Sequence, residues 1–387
     1  MNLKNFSINS NENLSMNQKT LIENSCKDSF PKIELLFKFN QIKIKNCEVK
    51  NFPEIKSAIE RLIFVSKRVE NSEAIFRQIK KIRFNKDPIK ILEKKGEIKR
   101  ISNKLFQFQG NFLKVFRKSN EYFYNLAIKK YKAIDQENPM LWPVDLYKKI
   151  NYLNEFPQQS LMMVGLKQNY KNLKKFSLQH KKSNNFKKIK VRNQFEDVEY
   201  GLQPAVCDNC YYSLSNIKNF SNSIYTTYNK VFRNETSAHK NLDRLISFSV
   251  RDIMFVGDKN FVIKTRKRLV KEIIKFLKNT ELDCSLETAN DPFFMGNIDK
   301  KLFQNSFDLK QEILASIPFL KKKIAVGSIN FHLDTFGKAF NINNKKKKIF
   351  SGCIGIGFER LLLALYSQHG VNIKNWPNKL KRELNLK

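Results

Sequence analysis

Two short stretches carry residues suited to gripping a phosphate-bearing ligand. The first is Phe232-Arg233-Asn234-Glu235, followed after a polar loop by Ser247-Phe248-Ser249-Val250-Arg251-Asp252. The pattern predicts strand, loop, strand. Alternate side chains of a strand share a face, so Arg233 and Glu235 point one way. On the second strand Phe248, Val250 and Asp252 share a face and Arg251 points the other way. The planar fork of an arginine suits bidentate contact with phosphate. An amphipathic hairpin with a surface ion pair accounts for the stretch equally well.

The second stretch is Ser351-Gly352-Cys353-Ile354-Gly355-Ile356-Gly357-Phe358-Glu359-Arg360, running into the apolar Leu361-Leu362-Leu363-Ala364-Leu365. Its three glycines let the backbone pack tightly or approach a ligand. Arg360 then falls in the first turn of an apolar helix, where a cation opposes the helix dipole and calls for an anionic partner. The glycine order is G-x-x-G-x-G with no βαβ unit before it, so this is not a dinucleotide fingerprint. A glycine-rich strand feeding a buried helix, with Arg360 in a structural ion pair, is the plain alternative.

The elements that must position these residues read as strands over Ile224–Phe232, Ile246–Val256, Lys323–His332 and Phe350–Gly355, with helices over Thr265–Leu277 and Phe358–Ser367. Strands with intervening helices but no regular βαβ alternation predict an α+β domain on an antiparallel sheet, covering 136–387. Residues 1–30, rich in Asn and Ser, read as a disordered tail. Residues 31–135 read as mainly helical, from Ala58, Ile59, Leu62, Ile63 and Val65, then Ile75, Ile79 and Ile82 at helical spacing. Lys86–Lys104 reads as a helical hairpin or exposed arm, and Gln168–Asn193 as a basic inserted loop. No internal repeat is present.

Composition bounds the function without choosing it. The net charge of +36 over 387 residues points to a polyanionic partner such as tRNA, another nucleic acid or an acidic protein. A lysine-rich, glycine-poor composition spread along the whole chain explains the same number, and the lysine runs at 321–323 and 345–348 read as solvated loops. No apolar run approaches the ~18 residues of a membrane span, and the start lacks the apolar core of a secretory signal. A cytoplasmic protein without a membrane partner is expected. Six cysteines at positions 26, 47, 207, 210, 284 and 353 in a chain of this size read as free thiols or metal ligands rather than a disulfide framework.

Taken together, F-R-x-E with a Phe on the next strand resembles motif 2 of class II aminoacyl-tRNA synthetases, and G-x-G-F-E-R before an apolar helix resembles their motif 3. Further pieces narrow the resemblance: Tyr152-Leu153-Asn154-Glu155-Phe156-Pro157, Pro204-Ala205-Val206-Cys207, Asn290-Asp291-Pro292-Phe293-Phe294, Lys310-Gln311-Glu312 and Ser328-Ile329-Asn330-Phe331-His332-Leu333-Asp334-Thr335-Phe336-Gly337. From Trp142 to Gly370 the set resembles the amino acid–[carrier protein] ligases, relatives of the atypical zinc-containing seryl-tRNA synthetases.

The resemblance implies a fold and a chemistry. The fold is a class II synthetase-like catalytic domain, an antiparallel sheet flanked by helices. ATP and magnesium are its cofactors, with Arg233 on the α-phosphate, Glu235 on the adenine amino group, Phe248 stacked on adenine and Arg360 on the γ-phosphate. A zinc ion in this family is held by Cys, Glu and Cys, with an open position for the substrate's amino group. Here the cysteines match Cys207 and Cys353, while the middle ligand falls on Asp252. Three protein ligands and an open position suit a working zinc. Asp is one methylene shorter than Glu, about 1.5 Å, so either the metal or the strand must shift. Cys210, three residues after Cys207, offers an alternative set of Cys207, Cys210 and Cys353. Asn330 and His332 fall on one strand face as candidate walls of the amino acid pocket, with a satisfied core histidine as the plain alternative for His332. Glu312 reads as a helix-surface charge, with a substrate-side carboxylate as the alternative, and His369 as a cap at the end of the motif 3 helix.

The resemblance also implies an acidic carrier protein bearing phosphopantetheine as the acceptor of a small amino acid, and a homodimer. Aminoacylation of tRNA is the second reading. A non-catalytic binding paralogue, kept open by the Asp252 departure, is the third.

Overall fold

In a computed structural model the chain is described at residues 3–9, 14, 19, 22–23, 26, 33–66, 74–82, 84–182, 192–234, 241–289, 309–344 and 347–386. Its strands in chain order are β1 Leu3–Asn9, β2 Glu34–Lys38, β3 Gln41–Glu48, β4 Phe76–Gln78, β5 Ile98–Ser102, β6 Leu105–Phe108, β7 Ile134–Gln136, β8 Leu141–Pro143 and β9 Met162–Met163. They continue with β10 Tyr200–Leu202, β11 Ser223–Phe232, β12 Ser247–Gly257, β13 Cys284–Thr288, β14 Lys310–Ile317, β15 Lys322–Leu333, β16 Asn343–Asn344, β17 Lys347–Lys348 and β18 Phe350–Gly357.

The centre is an eight-stranded sheet in the order β4-β13-β14-β15-β18-β12-β11-β7. Every pairing in it is antiparallel except β7 with β11. Alternation along its strands sends Ile253, Phe255, Ile329, Ile354 and Ile356 into the main core. There the helices Lys259–Thr280, Phe358–His369 and Gly110–Asn125 cover the sheet. The opposite face carries Met254, Val256 and Cys353 beneath a second core of Trp142, Tyr147, Cys207 and Tyr211. The two helices the sequence reading placed at 265–277 and 358–367 are present and longer. Asp258 caps the first, its carboxylate accepting from the Phe261 amide at 2.9 Å, which is the standard way to satisfy an N-terminal orphan donor. No described helix is long and apolar enough to cross a membrane.

The N-terminal part departs from expectation. Leu3–Asn9, assigned to a disordered tail, pairs with β3, and β2 completes a three-stranded antiparallel sheet. Ile8, Ile42, Ile44, Ile55 and Ile59 close a separate small core with the helix Phe52–Ser66. Residues 74–135 are not a helical appendage: β4 and β7 form the two ends of the large sheet, and Phe112, Val115 and Phe123 belong to the main core. Ile75 and Ile79, spaced as on a helix, instead flank the short strand β4 and are exposed. The Lys86–Lys104 stretch holds a seven-residue helix, Pro88–Lys94, and the hairpin strand β5. The inserted loop at 168–193 contains a helix, Tyr170–Lys182.

Candidate active site

The strand alternation that builds the core also builds the site. On β12, Asp252 lies opposite Thr227 of β11 and Gly355 of β18. On β18, Cys353 shares that face two residues earlier and lies opposite Met254 and Asn330. Cys207 comes from above the sheet, as the first residue of the helix Cys207–Ser213. Their ligand atoms all lie within 4.8 Å of one another and all three residues are buried; among the described residues this is the one such group. Cys210 is buried in the neighbouring core and does not join it.

The donor set fits a zinc ion. Two sulfurs and an oxygen at zinc–ligand lengths of about 2.3 and 2.0 Å would stand about 3.5–3.8 Å apart in a tetrahedron, inside the 4.8 Å that bounds all three separations here. The electrostatics lead to the same conclusion. Burial, then the charge of Cys353, pushes the Asp252 carboxyl well above the carboxylate range. Cys207 is raised by the hydrogen bond it donates to Cys353 and by burial, while that bond, with His332 and Asn330, holds Cys353 well below its ordinary value. Asp208, buried beside Cys207, is pushed up to about 7 by burial. Acidic groups packed together away from water oppose one another's ionisation, and a cation relieves that opposition.

The shorter Asp252 reaches the cluster without distorting its strand, since the pairing of β12 with both neighbours runs through position 252 without a register shift. What makes room is Gly355: a Cβ there would stand 2.5 Å from Asp252 Oδ1.

Asn330 and His332 border the cluster. Asn330 Nδ2 donates to Cys353 Sγ at 3.3 Å and to Ser328 Oγ at 3.2 Å. His332 places Nε2 3.7 Å from Cys353 Sγ, and its Nδ1 meets Ser351 Oγ at 3.2 Å and Tyr211 Oη at 3.4 Å. Asp208, Tyr211 and Ser351 were not singled out in the sequence. Tyr211 and Ser351 carry no pattern of their own, and Asp208 shows itself only by following Cys207. Glu312 is on β14 and not on a helix, paired with Lys310 at 3.3 Å.

The phosphate-gripping candidates come from neighbouring elements: Phe248 from β12, Arg233 from just after β11 and Arg360 from the helix that follows β18. Phe248 is four residues from Asp252 along β12, about 13 Å of strand. It lines a small hollow with Leu242, Leu245, Gly357, Glu359 and Arg360. The Arg233 guanidinium stands 5.5 Å from the Phe248 ring and its Nε donates to the Pro204 carbonyl at 3.0 Å. Arg360, in the first turn of Phe358–His369, donates to the carbonyls of Asp243 at 2.7 Å and Ala325 at 3.3 Å. Glu359 is buried and accepts from the Ser249 amide, the Ser249 hydroxyl and Lys230. Arg251 points into the opposite face, where Nε donates to Asn120 Oδ1 at 2.7 Å. Glu235 and residues 290–294 lie outside the described residues.

No family model matches the chain. It is 26% identical over 320 residues to the type-2 serine–tRNA ligase of Methanocaldococcus jannaschii, covering 79% of this chain and 60% of the relative. It is 31% identical over 158 residues to an amino acid–[acyl-carrier-protein] ligase of Bradyrhizobium diazoefficiens, covering 40% of this chain and 46% of that one. The chain thus spans about 60% of the length of the serine–tRNA ligases it matches. Among solved structures, M. kandleri seryl-tRNA synthetase, in a complex with A. aeolicus tRNASec, superposes with a TM-score of 0.72 at 17% identity over 98% of this chain and 77% of that one. The fold is that of the class II synthetases.

Proposed function

We propose that this class II aminoacyl-tRNA-synthetase-like chain activates a small amino acid with ATP and passes the aminoacyl group to an acceptor. The amino acid carboxylate attacks the α-phosphorus; the new oxygen–phosphorus bond forms as the bond to pyrophosphate breaks, leaving an aminoacyl adenylate. The protein does no covalent work in such a step. It positions the reactants and stabilises charge. Phe248 offers a ring for adenine, Arg233 a guanidinium for the α-phosphate and Arg360 one for the γ-phosphate, with magnesium as the counter-charge of the phosphates. Cys207, Asp252 and Cys353 would hold a zinc ion, which when bound supplies a Lewis-acidic position for the amino group of the substrate. Asn330 and His332 wall that end.

The observation that carries this reading is the buried Cys207/Asp252/Cys353 group, whose Asp252 and Cys353 lie on β12 and β18, the strands that also carry Phe248 and lead into the helix of Arg360. The test is amino-acid-dependent exchange of pyrophosphate into ATP, with glycine, alanine and serine, beside a metal analysis. Exchange with none of them, in a protein holding stoichiometric zinc, would leave the binding paralogue as the better account.

Two acceptors each have support. Likeness to serine–tRNA ligases runs over 79% of the chain, and the fold likeness over 98%, which takes in the N-terminal sheet and helix. That breadth favours tRNA as the acceptor. The higher identity to a carrier-protein ligase is confined to 158 residues and supports the phosphopantetheine thiol of an acidic carrier as the second. Charging of tRNA against charging of holo carrier protein, in parallel, separates them. A homodimer in the cytoplasm completes the proposal. The sheet end at β7, where Ile134 is 51% exposed, is the edge a second copy would cover.

A further inference from the structure

The helix Lys259–Thr280 packs on the sheet face opposite the cysteine cluster, through Val262, Leu269, Ile273 and Phe276. Its outer side is given over to cations. Every exposed residue between positions 264 and 278 is Lys or Arg: Lys264, Lys267, Arg268, Lys271, Lys275 and Lys278. Steps of three and four keep them in one line, about 21 Å long at 1.5 Å per residue. Composition does not account for this. The chain has 72 basic and 36 acidic residues, two to one, whereas this helix has eight basic residues and one Glu. That acid, Glu272, is taken by Lys130 at 2.6 Å. The five lysines make no ion pair with another described residue, although like charges three and four apart oppose the helix that carries them. Exposed Lys129, Lys130 and Lys132 continue the positive surface onto the neighbouring element, where Arg268 stands 5.2 Å from the Tyr131 ring.

We propose that this line of cations is a docking surface for the phosphodiester backbone of RNA. An acidic protein partner would call for apolar anchors among the charges, and this helix exposes no large apolar side chain. A phosphate backbone is met by cations and polar donors and needs no apolar anchor. The cations line the outer side of a helix on the sheet face opposite the cysteine cluster, and the proposal stands whichever acceptor the enzyme uses.

The test compares the full chain with a Lys264→Gln/Lys267→Gln/Lys271→Gln/Lys275→Gln variant. Binding of a tRNA transcript is followed by fluorescence anisotropy across a salt series, with polyglutamate as a second probe. The unaltered chain should bind the transcript with a steep salt dependence. The variant should lose at least about tenfold in affinity at 0.15 M salt, and its log–log salt slope should fall by roughly three to four. Amino-acid-dependent exchange should be the same in both, which separates a failure here from a failure of the activation chemistry. Equal affinity and slope in the two proteins, no transcript binding by the unaltered chain at 50 mM salt, or tighter binding of polyglutamate than of transcript would each overturn the proposal.

Discussion

Substituting Gly355 by alanine tests the metal site through space rather than through its ligands. The added methyl carbon would stand 2.5 Å from Asp252 Oδ1, 3.5 Å from its Cγ and 3.7 Å from Val250 Cγ1. Ordinary contact begins near 3.4 Å, so the carboxylate oxygen must retreat by the difference of 0.9 Å. β18 is hydrogen-bonded on both edges, to β12 and β15, so its backbone has little freedom to yield. The movement falls on the Asp252 side chain, which leaves its rotamer at about 0.5–1.5 kcal/mol for a ~30° rotation. A ligand displaced by 0.9 Å is well beyond the ~0.2 Å tolerance of a metal site. Overpacking of this kind costs about 1–3 kcal/mol, which if charged to the metal-bound state is a loss of about 5- to 150-fold in zinc affinity. Gly327→Ala is the control: its methyl carbon meets the Gly355 carbonyl at 2.8 Å and Ile356 and Ile313 at 2.9 and 3.0 Å, on the core side of the sheet. Chelator competition should show zinc released far more readily from Gly355→Ala, while Gly327→Ala should lower the melting temperature and keep its zinc. If Gly355→Ala holds zinc as tightly as the unaltered chain, Asp252 is not a ligand.

Cys353→Ser should strip zinc and abolish pyrophosphate exchange, while Cys210→Ser should keep both, because Cys210 lies outside the group of three; elemental analysis of the two variants decides between the candidate ligand sets. Arg360→Ala should abolish exchange. It should also cost about 1–3 kcal/mol of stability, because the carbonyls of Asp243 and Ala325 lose charged donors; a lysine at 360 that restored full exchange would reduce the guanidinium to a mere point charge. Burial holds the His369 imidazole below its ordinary 6.5, and its Nε2 lies 2.8 Å from the Thr280 carbonyl. A depressed histidine leaves stability intact above pH 6.5 and lost as pH falls through the lowered value. Denaturant unfolding should therefore weaken below pH 6.5 in the unaltered chain, and His369→Gln should flatten that slope; an equal slope in both would assign the loss to other groups.

Elements with strong alternation were legible in the sequence, and those whose burial came from elsewhere were not. β11, β12, β15 and β18 all begin and end within two residues of their expected bounds. β14 was missed although Gln311, Ile313, Ala315 and Ile317 alternate on its buried side, because a polar glutamine opens the buried row and Leu314, on the other face, breaks the apolar–polar alternation. β3 was missed although Ile42 and Ile44 alternate with Lys43 and Lys45, a plain strand signal inside a region taken as helical. The helix Tyr170–Lys182 left no period to find: Leu173 and Leu178 are both exposed, so its apolar residues do not mark a buried face. Ile75 and Ile79 gave a false helical period for the same reason, since neither is buried.

The metal group shows where sequence spacing stops being informative and register takes over. The three candidate ligands are 45 and 101 residues apart (207 to 252, 252 to 353), and no local pattern joins them. In the fold, Asp252 and Cys353 are nearly neighbours, because Asp252 pairs with Gly355, two residues from Cys353 on the same face of the next strand. Strand side chains alternate, so slipping β18 by one residue would turn Cys353 into the apolar core and bring Ile354 to the site. The register is held from the other side of the sheet, where Ile354 and Ile356 are buried among Ile253, Phe255 and Ile329. The core that fills one face thus fixes which residues can meet on the other. Cys207 is the remaining variable, delivered by a seven-residue helix that Tyr211 ties to the Gly352 carbonyl at 3.2 Å. Position 352 flanks Cys353, so the helix carrying one thiol is fastened to the strand carrying the other, and the gap between the two sulfurs is set by that bond rather than by the long loops between them.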